Sequence, residues 1–216
     1  MTIDVFADIA CPWCYLGERR LFATLAERPD LDATVRWRPF QLQLQLPPSG
    51  LPWRPFAEQK FGSWAQAQAG FRHLERAAED DGVTFDFEGI ATAANTADAH
   101  RLILFARQHN REWAMALSLF EGYFAEGRDL NDADTLRALA ERADLDGEEA
   151  AAYLASKAGR DAVAESQRAA QQAGITGVPF TVFDGRLALS GAQPAEVFAR
   201  ALNEARQPAT SSRSNA

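Results

Sequence analysis

The chain contains the run Asp8-Ile9-Ala10-Cys11-Pro12-Trp13-Cys14, where a predicted strand passes into a predicted helix. Apolar and polar residues alternate at the start of residues 3–9, which is typical of a strand. From Pro12 to about Glu27 the apolar residues follow a helical pattern, and Pro29 ends it. The two cysteines are therefore predicted to lie at the start of the first helix.

This position favours redox chemistry at Cys11 and Cys14. Side chains three positions apart on a helix are neighbours, so a small adjustment brings them to disulfide distance. The free N–H groups at a helix start favour a negative charge, and Pro12 suits the first helical position because it lacks an N–H. We predict that Cys11 is the attacking thiolate and that Cys14, one turn deeper, resolves the mixed disulfide. A bond that closes so short a loop would stabilise the fold little.

Two alternatives to redox chemistry remain open for the pair. A zinc site needs four ligands, and the chain has only these two cysteines. Its histidines, His73, His100 and His109, all fall in a helical region and show no ligand spacing. Two inert core thiols are the other alternative. The order of strand, Cys-Pro-x-Cys and helix favours redox chemistry over both, and we expect no metal.

The remaining pattern predicts a discontinuous α/β fold. A second strand is predicted over residues 34–40, and strands return at 180–183 and 187–190 around a hairpin turn, before a helix over 194–205. Between them the pattern is helical to about residue 173. The order is β-α-β, a helical block, then β-β-α. This predicts a thioredoxin-like fold with an inserted all-helical domain.

Breaker residues around Pro47 to Pro52 indicate the domain boundary. We assign residues 1–50 and 174–206 to the thioredoxin-like domain. Residues 51–173, including the helix that returns to the sheet, form the inserted helical domain. The polar tail 207–216 is expected to be disordered.

A second site motif, Gly177-Val178-Pro179-Phe180, stands just before the third predicted strand of the sheet. Proline cannot donate to a strand ladder, so it belongs at a strand start. By likeness to thioredoxin-like proteins, Pro179 is expected to be cis and to lie against the cysteine pair. Val178 would then offer its backbone N–H and C=O to an extended substrate. An ordinary trans proline is the alternative.

The chain resembles the DsbA-like thioredoxin superfamily, and most closely its cytoplasmic FrnE-like branch. The resemblance rests on residues 8–17, on Thr176 to Phe180, and on the run Asn95-Thr96-Ala97-Asp98-Ala99-His100-Arg101-Leu102. It covers nearly the whole chain apart from the tail. It implies a protein-disulfide oxidoreductase that acts on protein dithiols, protein disulfides or small thiols. It also places the start of the helix at Asn95 towards the active site, where Asn95 or His100 would contact a small substrate.

Related families leave two further functions open. The 2-hydroxychromene-2-carboxylate isomerases and kappa-class glutathione transferases share this architecture but typically carry Ser at the first active-site position. A glutathione-dependent isomerase or transferase is therefore the first alternative, and a non-enzymatic holdase using an apolar groove beside Trp13 is the second. The periplasmic DsbA proteins usually have His where this chain has Trp13. Since Trp brings no charge, we expect a less oxidising pair than in DsbA.

Several further expectations concern partners and single residues. A net charge of −8 argues against nucleic acid as a partner. The chain has no apolar run of about 18 residues and no leader-like start, so no membrane and a cytoplasmic location are expected. We expect no bound cofactor, with glutathione as a candidate co-substrate, and the oligomeric state is open.

Asp8 is expected to cap the first helix, with proton transfer to Cys14 as the alternative. Arg19 and Arg20 are expected to face solvent.

Overall fold

The computed structural model describes residues 1–207, so the predicted tail lies outside the described residues except for Gln207. Its main sheet is made of β1 (Thr2–Ala7), β2 (Thr34–Pro39), β5 (Phe180–Phe183) and β6 (Leu187–Ser190). The strand order is β2-β1-β5-β6. β1 pairs parallel with β2 and antiparallel with β5, and β5 pairs antiparallel with β6. This is the predicted α/β arrangement with a helical insertion.

The helices follow the predicted order along the chain. They are α1 (Pro12–Ala26), α2 (Trp53–Phe61), α3 (Trp64–Ala77), α4 (Ala97–Gln108), α5 (Glu112–Phe124), α6 (Ala133–Arg142), α7 (Gly147–Ala155), α8 (Arg160–Gln172) and α9 (Ala195–Arg206). α1 and α9 pack against each other, α1 also packs against α5, and α8 packs against β2. No helix in the part of the chain described is long and apolar enough to span a membrane.

The inserted helices and the sheet share a buried core centred on Trp37. This side chain of β2 is fully buried, and its ring centroid lies 5.6 Å from that of Trp113 and 6.0 Å from that of Phe120, both on α5. Burying an aromatic side chain of this size removes about 200 Å² from water, which is worth about 5 kcal/mol. The insertion is therefore packed onto the sheet that carries the cysteine motif.

Two local features differ from the expected pattern. The segment that was predicted as a boundary contains a two-residue strand, β3 (Leu51–Pro52), which pairs antiparallel with β4 (Thr92–Ala93). This pairing holds the beginning of the insertion next to the start of α4. The helix itself begins after Thr96, one position later than the predicted cap at Asn95. Asn95 still accepts a hydrogen bond from the Ala97 N–H at 3.0 Å, and it donates to the Leu46 carbonyl at 2.7 Å.

Candidate active site

The cysteine pair opens α1 in the predicted way. Cys11 is the N-cap residue with an extended backbone, Pro12 follows at the first helical position, and the Cys14 N–H donates to the Cys11 carbonyl at 2.9 Å. Both sulfurs are free thiols. Cys11 is 6% exposed and Cys14 only 1% exposed. Cys11 is therefore the more accessible of the two sulfurs.

The loop before β5 lies against Cys11. The Val178–Pro179 peptide bond is cis, and the Cys11 Sγ donates to the Val178 carbonyl at 3.5 Å. Gly17 allows this approach, because a Cβ there would lie only 3.1 Å from Pro179 Cγ. Cys11, Val178 and Pro179 are thus brought together from opposite ends of the chain.

Trp13 and Pro12 form the apolar border of the pair. Trp13 is half-buried, and its ring centroid lies 5.9 Å from that of His73 on α3. Pro12 lines a small apolar cleft of about 50 Å³ between the loop after β2 and the first inserted helices, together with residues such as Leu42 and Phe61. The surface around Cys11 is therefore suited to apolar substrate groups.

Asp8 does not cap α1, so that prediction is wrong. The N-cap residue is Cys11, and its side chain makes no capping hydrogen bond. The Asp8 carboxylate instead accepts from the Ala10 N–H at 3.2 Å and from the Leu42 N–H, in the loop after β2, at 2.7 Å. It is 1% exposed. The reason is tertiary, because the chain after β2 passes closer to this carboxylate than the first turn of α1 does.

His100, for which a contact with a small substrate is predicted, is fully buried and lies against Asp8. Its Nε2 lies 3.4 Å from Asp8 Oδ1, and its Nδ1 accepts a hydrogen bond from the indole N–H of Trp37 at 3.2 Å. α4 thus reaches Asp8 through His100. Sequence analysis missed Trp37 and Leu42 as partners of this group, and no local pattern marks either residue.

Burial and hydrogen bonding separate the acidities of Asp8 and Cys14. Burial alone would raise the pKa of Asp8, but the hydrogen bond and charge of His100, with hydrogen bonds from Leu42 and Thr96, outweigh it and lower that pKa below its usual value. Burial raises the pKa of the Cys14 thiol well above its usual value, and the hydrogen bond and charge of Cys11 add to the rise; a backbone hydrogen bond with Asp8 lowers it, and the charge of Asp8, the last cause in order of size, raises it. The two shifts thus have opposite directions, towards the carboxylate at Asp8 and towards the thiol at Cys14.

Asn95 lies apart from this group. It is half-buried and lines a cavity of about 560 Å³ with Gln41 and residues of α8, and neither cysteine lines that cavity. Its amide group holds the loop after β2 through the Leu46 carbonyl. The structure thus gives Asn95 a scaffolding position and does not bring it to the cysteine pair.

Arg20 also differs from its predicted solvated position. Its guanidinium group pairs with Asp81 at 2.8 Å and donates to the carbonyls of Ala77 at 2.6 Å and Ala192 at 2.9 Å. It therefore links α1 to the end of α3 and to the loop after β6. Within residues 1–207 no three His, Cys, Asp or Glu side chains are grouped as metal ligands.

Comparison with known proteins agrees with this fold. A family model described as the DSBA-like thioredoxin domain matches residues 2–203. The crystal structure of a probable DsbA oxidoreductase from Streptomyces coelicolor is 39% identical, with a TM-score of 0.88 over 96% of this chain and 92% of that chain. The uncharacterized protein YwbO of Bacillus subtilis is 27% identical over 203 residues, which is 94% of this chain and 96% of YwbO.

A third similarity concerns the fold alone. The cytosolic disulfide reductase DsbM from Pseudomonas aeruginosa is 23% identical, with a TM-score of 0.69 over 95% of this chain and 99% of that chain. A second structure of DsbM contains GSH and has a TM-score of 0.68, with 22% identity over 96% of this chain and all of that one.

Proposed function

Because the chain belongs to the DsbA-like thioredoxin domain family, we propose that it is a cytoplasmic thiol–disulfide oxidoreductase in which Cys11 attacks and Cys14 resolves. A single observation carries this proposal: Cys11 lies at the helix start against the Val178 carbonyl, with Cys14 buried one turn behind it. That is the arrangement that a two-step exchange between thiols requires.

The exchange proceeds through one mixed disulfide. The Cys11 thiolate attacks one sulfur of a substrate disulfide, the substrate S–S bond breaks, and the leaving sulfur departs as a thiolate. Cys14 then loses its proton and attacks the Cys11 sulfur, which releases the second substrate thiolate. The substrate gains two electrons and the Cys11–Cys14 pair becomes a disulfide. Two molecules of a small thiol restore the pair by the reverse chemistry: the first forms a mixed disulfide with Cys11, and the second releases it as the small-molecule disulfide.

We propose that the substrates are protein disulfides or small-molecule disulfides and that glutathione is the reducing co-substrate. Pro12 and Trp13 supply an apolar surface on which a substrate group can pack. A reducing thiol pool keeps a redox-active pair of this kind in the thiol form, and such a pool is found in the cytoplasm. DsbM, which shares the fold, is described as a cytosolic disulfide reductase and has been solved with GSH.

The test compares glutathione-coupled reduction of insulin by the wild type, Cys11→Ser and Cys14→Ser. We expect Cys11→Ser to fall to the rate of glutathione alone, because the remaining thiol, Cys14, is buried. Cys14→Ser is expected to accumulate a mixed disulfide with insulin or glutathione, visible by mass spectrometry. Ala10→Ser adds a hydroxyl beside the pair without removing a sulfur, so it is the matched control and should retain activity. Unchanged turnover by Cys11→Ser would refute the mechanism.

A specific observation also bears on the holdase alternative. The apolar cleft beside Pro12 is independent of the sulfurs, so suppression of aggregation through this cleft would survive both cysteine substitutions. Loss of aggregation suppression in Cys11→Ser would instead tie it to disulfide exchange.

A further inference from the structure

We propose that the cavity between α8 and the loop after β2 is a second binding site, which takes a small organic acid with an apolar body and a carboxylate head. Its volume of about 560 Å³ lies within the range of small-molecule sites. Neither cysteine lines the cavity, and the proposed exchange does not use it. The inference therefore goes beyond the proposed function and does not depend on it.

Amide hydrogen bonds fix the polar part of the cavity wall. The Gln41 N–H donates to Gln167 Oε1 at 2.7 Å, and the Asn95 N–H donates to Asn131 Oδ1 at 2.9 Å. Gln41 Nε2 also donates to Asn95 Oδ1 at 3.4 Å, which joins the two pairs. The four residues come from α8, from the loop after β2 and from the segments before α4 and α6. The wall is therefore held in place without a ligand, which lowers the entropy cost of binding one.

Gln167 keeps a hydrogen-bond donor for a ligand. It is 7% exposed and lines the cavity, and its only side-chain oxygen already accepts from the Gln41 N–H. Its side-chain hydrogens are on Nε2, which donates to no acceptor within residues 1–207. A buried donor of this kind is more stable with an acceptor. A carboxylate oxygen in the cavity would supply one.

Two arginines of α8 make the cavity positive. Arg160 and Arg168 are exposed and lie about two turns apart on the same side of the helix, with the small Ala164 between them. Of the three arginines that line the cavity, only Arg101 is paired with a carboxylate among residues 1–207, with Asp98 at 2.7 Å. The lining side chains carry a net charge of +2, in a chain with a net charge of −8. This local excess of positive charge favours an anionic ligand.

Part of the cavity wall is apolar. Leu44, which is 50% exposed, lines it together with the buried Leu130 and Val163. Inorganic phosphate would satisfy the arginines but would leave Leu44 in contact with water. An apolar chain would cover this side chain, and burial of apolar area favours binding. The donors and the apolar wall together select an apolar carboxylate.

The first experiment titrates the full chain with octanoate and follows the backbone amide signals by NMR. Octanoate has a carboxylate and an apolar chain, whereas 1-octanol has only the chain and inorganic phosphate only the charge. We expect octanoate to shift the signals of Gln41, Asn95 and Asn131, and the other two probes to bind at least about 10-fold more weakly. Equal affinity for 1-octanol or phosphate would overturn the ligand class. Shifts that are absent, or confined to the cleft beside Pro12, for example at Phe56, would overturn the site.

Ala164→Glu tests the location of the ligand. It places a carboxylate between Arg160 and Arg168, and glutamate suits an exposed helical position. The affinity for octanoate should fall about 10-fold or more, because the new carboxylate repels the ligand and pairs with the arginines. Ala162→Glu, which is also exposed on α8 but does not line the cavity, is the matched control and should bind like the wild type. Unchanged affinity in folded Ala164→Glu would overturn the proposal.

A second set of variants removes charge instead of adding it. Arg160→Gln combined with Arg168→Gln should weaken octanoate binding about 10-fold and leave 1-octanol binding unchanged. Arg200→Gln, exposed on α9, is the control and should change neither affinity. Equal losses for octanoate and 1-octanol would overturn the role of the arginines.

The octanoate titration is repeated in Cys11→Ser to separate this site from the exchange. We expect the wild-type affinity there, because the cavity does not include the cysteine pair. Binding can therefore be present even where the proposed exchange fails its own test. A lower affinity in Cys11→Ser would place the ligand at the cysteine pair and overturn the proposal.

Discussion

Glu18 provides a sharp test of the physical description, because its carboxyl group is buried without a partner. The side chain is 6% exposed, and its Oε2 has no hydrogen-bond partner among residues 1–207. Burial raises the pKa of Glu18 to about 8; Arg19 opposes the rise, and Glu121 on α5 adds to it. In the folded chain the group therefore keeps its proton at neutral pH.

The sign and size of the effect follow from linkage. A carboxyl group with a raised folded-state pKa contributes stability that is fully present below its unfolded value of 4.5 and is lost as pH rises through about 8. At about 1.36 kcal/mol per pH unit, this window is worth about 5 kcal/mol. Glu18→Gln has the same shape and cannot ionise, so the variant does not lose this stability as pH rises. The variant should match the wild type near pH 4.5 and exceed its stability by several kcal/mol above about pH 8.

Urea unfolding at a series of pH values measures this difference directly. Glu27→Gln, at the exposed end of the same helix, is the matched control and should follow the wild type at every pH. Parallel curves of unfolding free energy against pH for the wild type and Glu18→Gln would refute the reasoning. They would show that Glu18 has the same pKa in the folded and unfolded chain.

Three further substitutions test other contacts. Arg20→Met leaves a largely buried carboxylate and two carbonyls without their donor, so the unfolding free energy should fall by about 2–4 kcal/mol in urea, against little change for Arg19→Met. Gly17→Ala places a Cβ 3.1 Å from Pro179 Cγ, so kcat/KM in the insulin assay should fall about 10-fold. The fall is expected although alanine is a better helix former than glycine. An unchanged kcat/KM would contradict this prediction. For the Cys11–Cys14 pair of the wild type we expect a reduction potential between about −270 and −120 mV, measured by glutathione titration. Trp13→His should raise this potential, because an imidazolium stabilises a neighbouring thiolate. An equal or lower potential in Trp13→His would contradict the prediction.

The parts of the fold that sequence predicted well depend on local chemistry. α1 begins at Pro12 because proline suits the first helical position. The hairpin between β5 and β6 turns at Asp184 and Gly185, which both adopt positive φ angles of 48° and 66°, and Asp-Gly is a favoured pair for such a turn. Asp132 caps α6 by accepting from the Thr135 N–H at 2.9 Å. Each of these signals needs only its neighbours in the chain.

The wrong predictions share the opposite property. The partners of Arg20 lie 61 residues away, at Asp81, and 172 residues away, at Ala192, so a surface position was the natural local interpretation. Asp8 stands where a capping residue would stand, yet it is held by the Leu42 N–H and by His100. A single sequence carries no direct record of such long-range pairs, and each of them replaces the local role that residue type and spacing suggest.

The same long-range pairs explain what a helical insertion can do for a dithiol site. In the proposed exchange a substrate would meet Cys11 beside Pro12, Trp13 and Val178. α4 reaches Asp8 from the buried side, through His100. The residues beside Cys11 and the helix that contacts Asp8 therefore come from different parts of the chain.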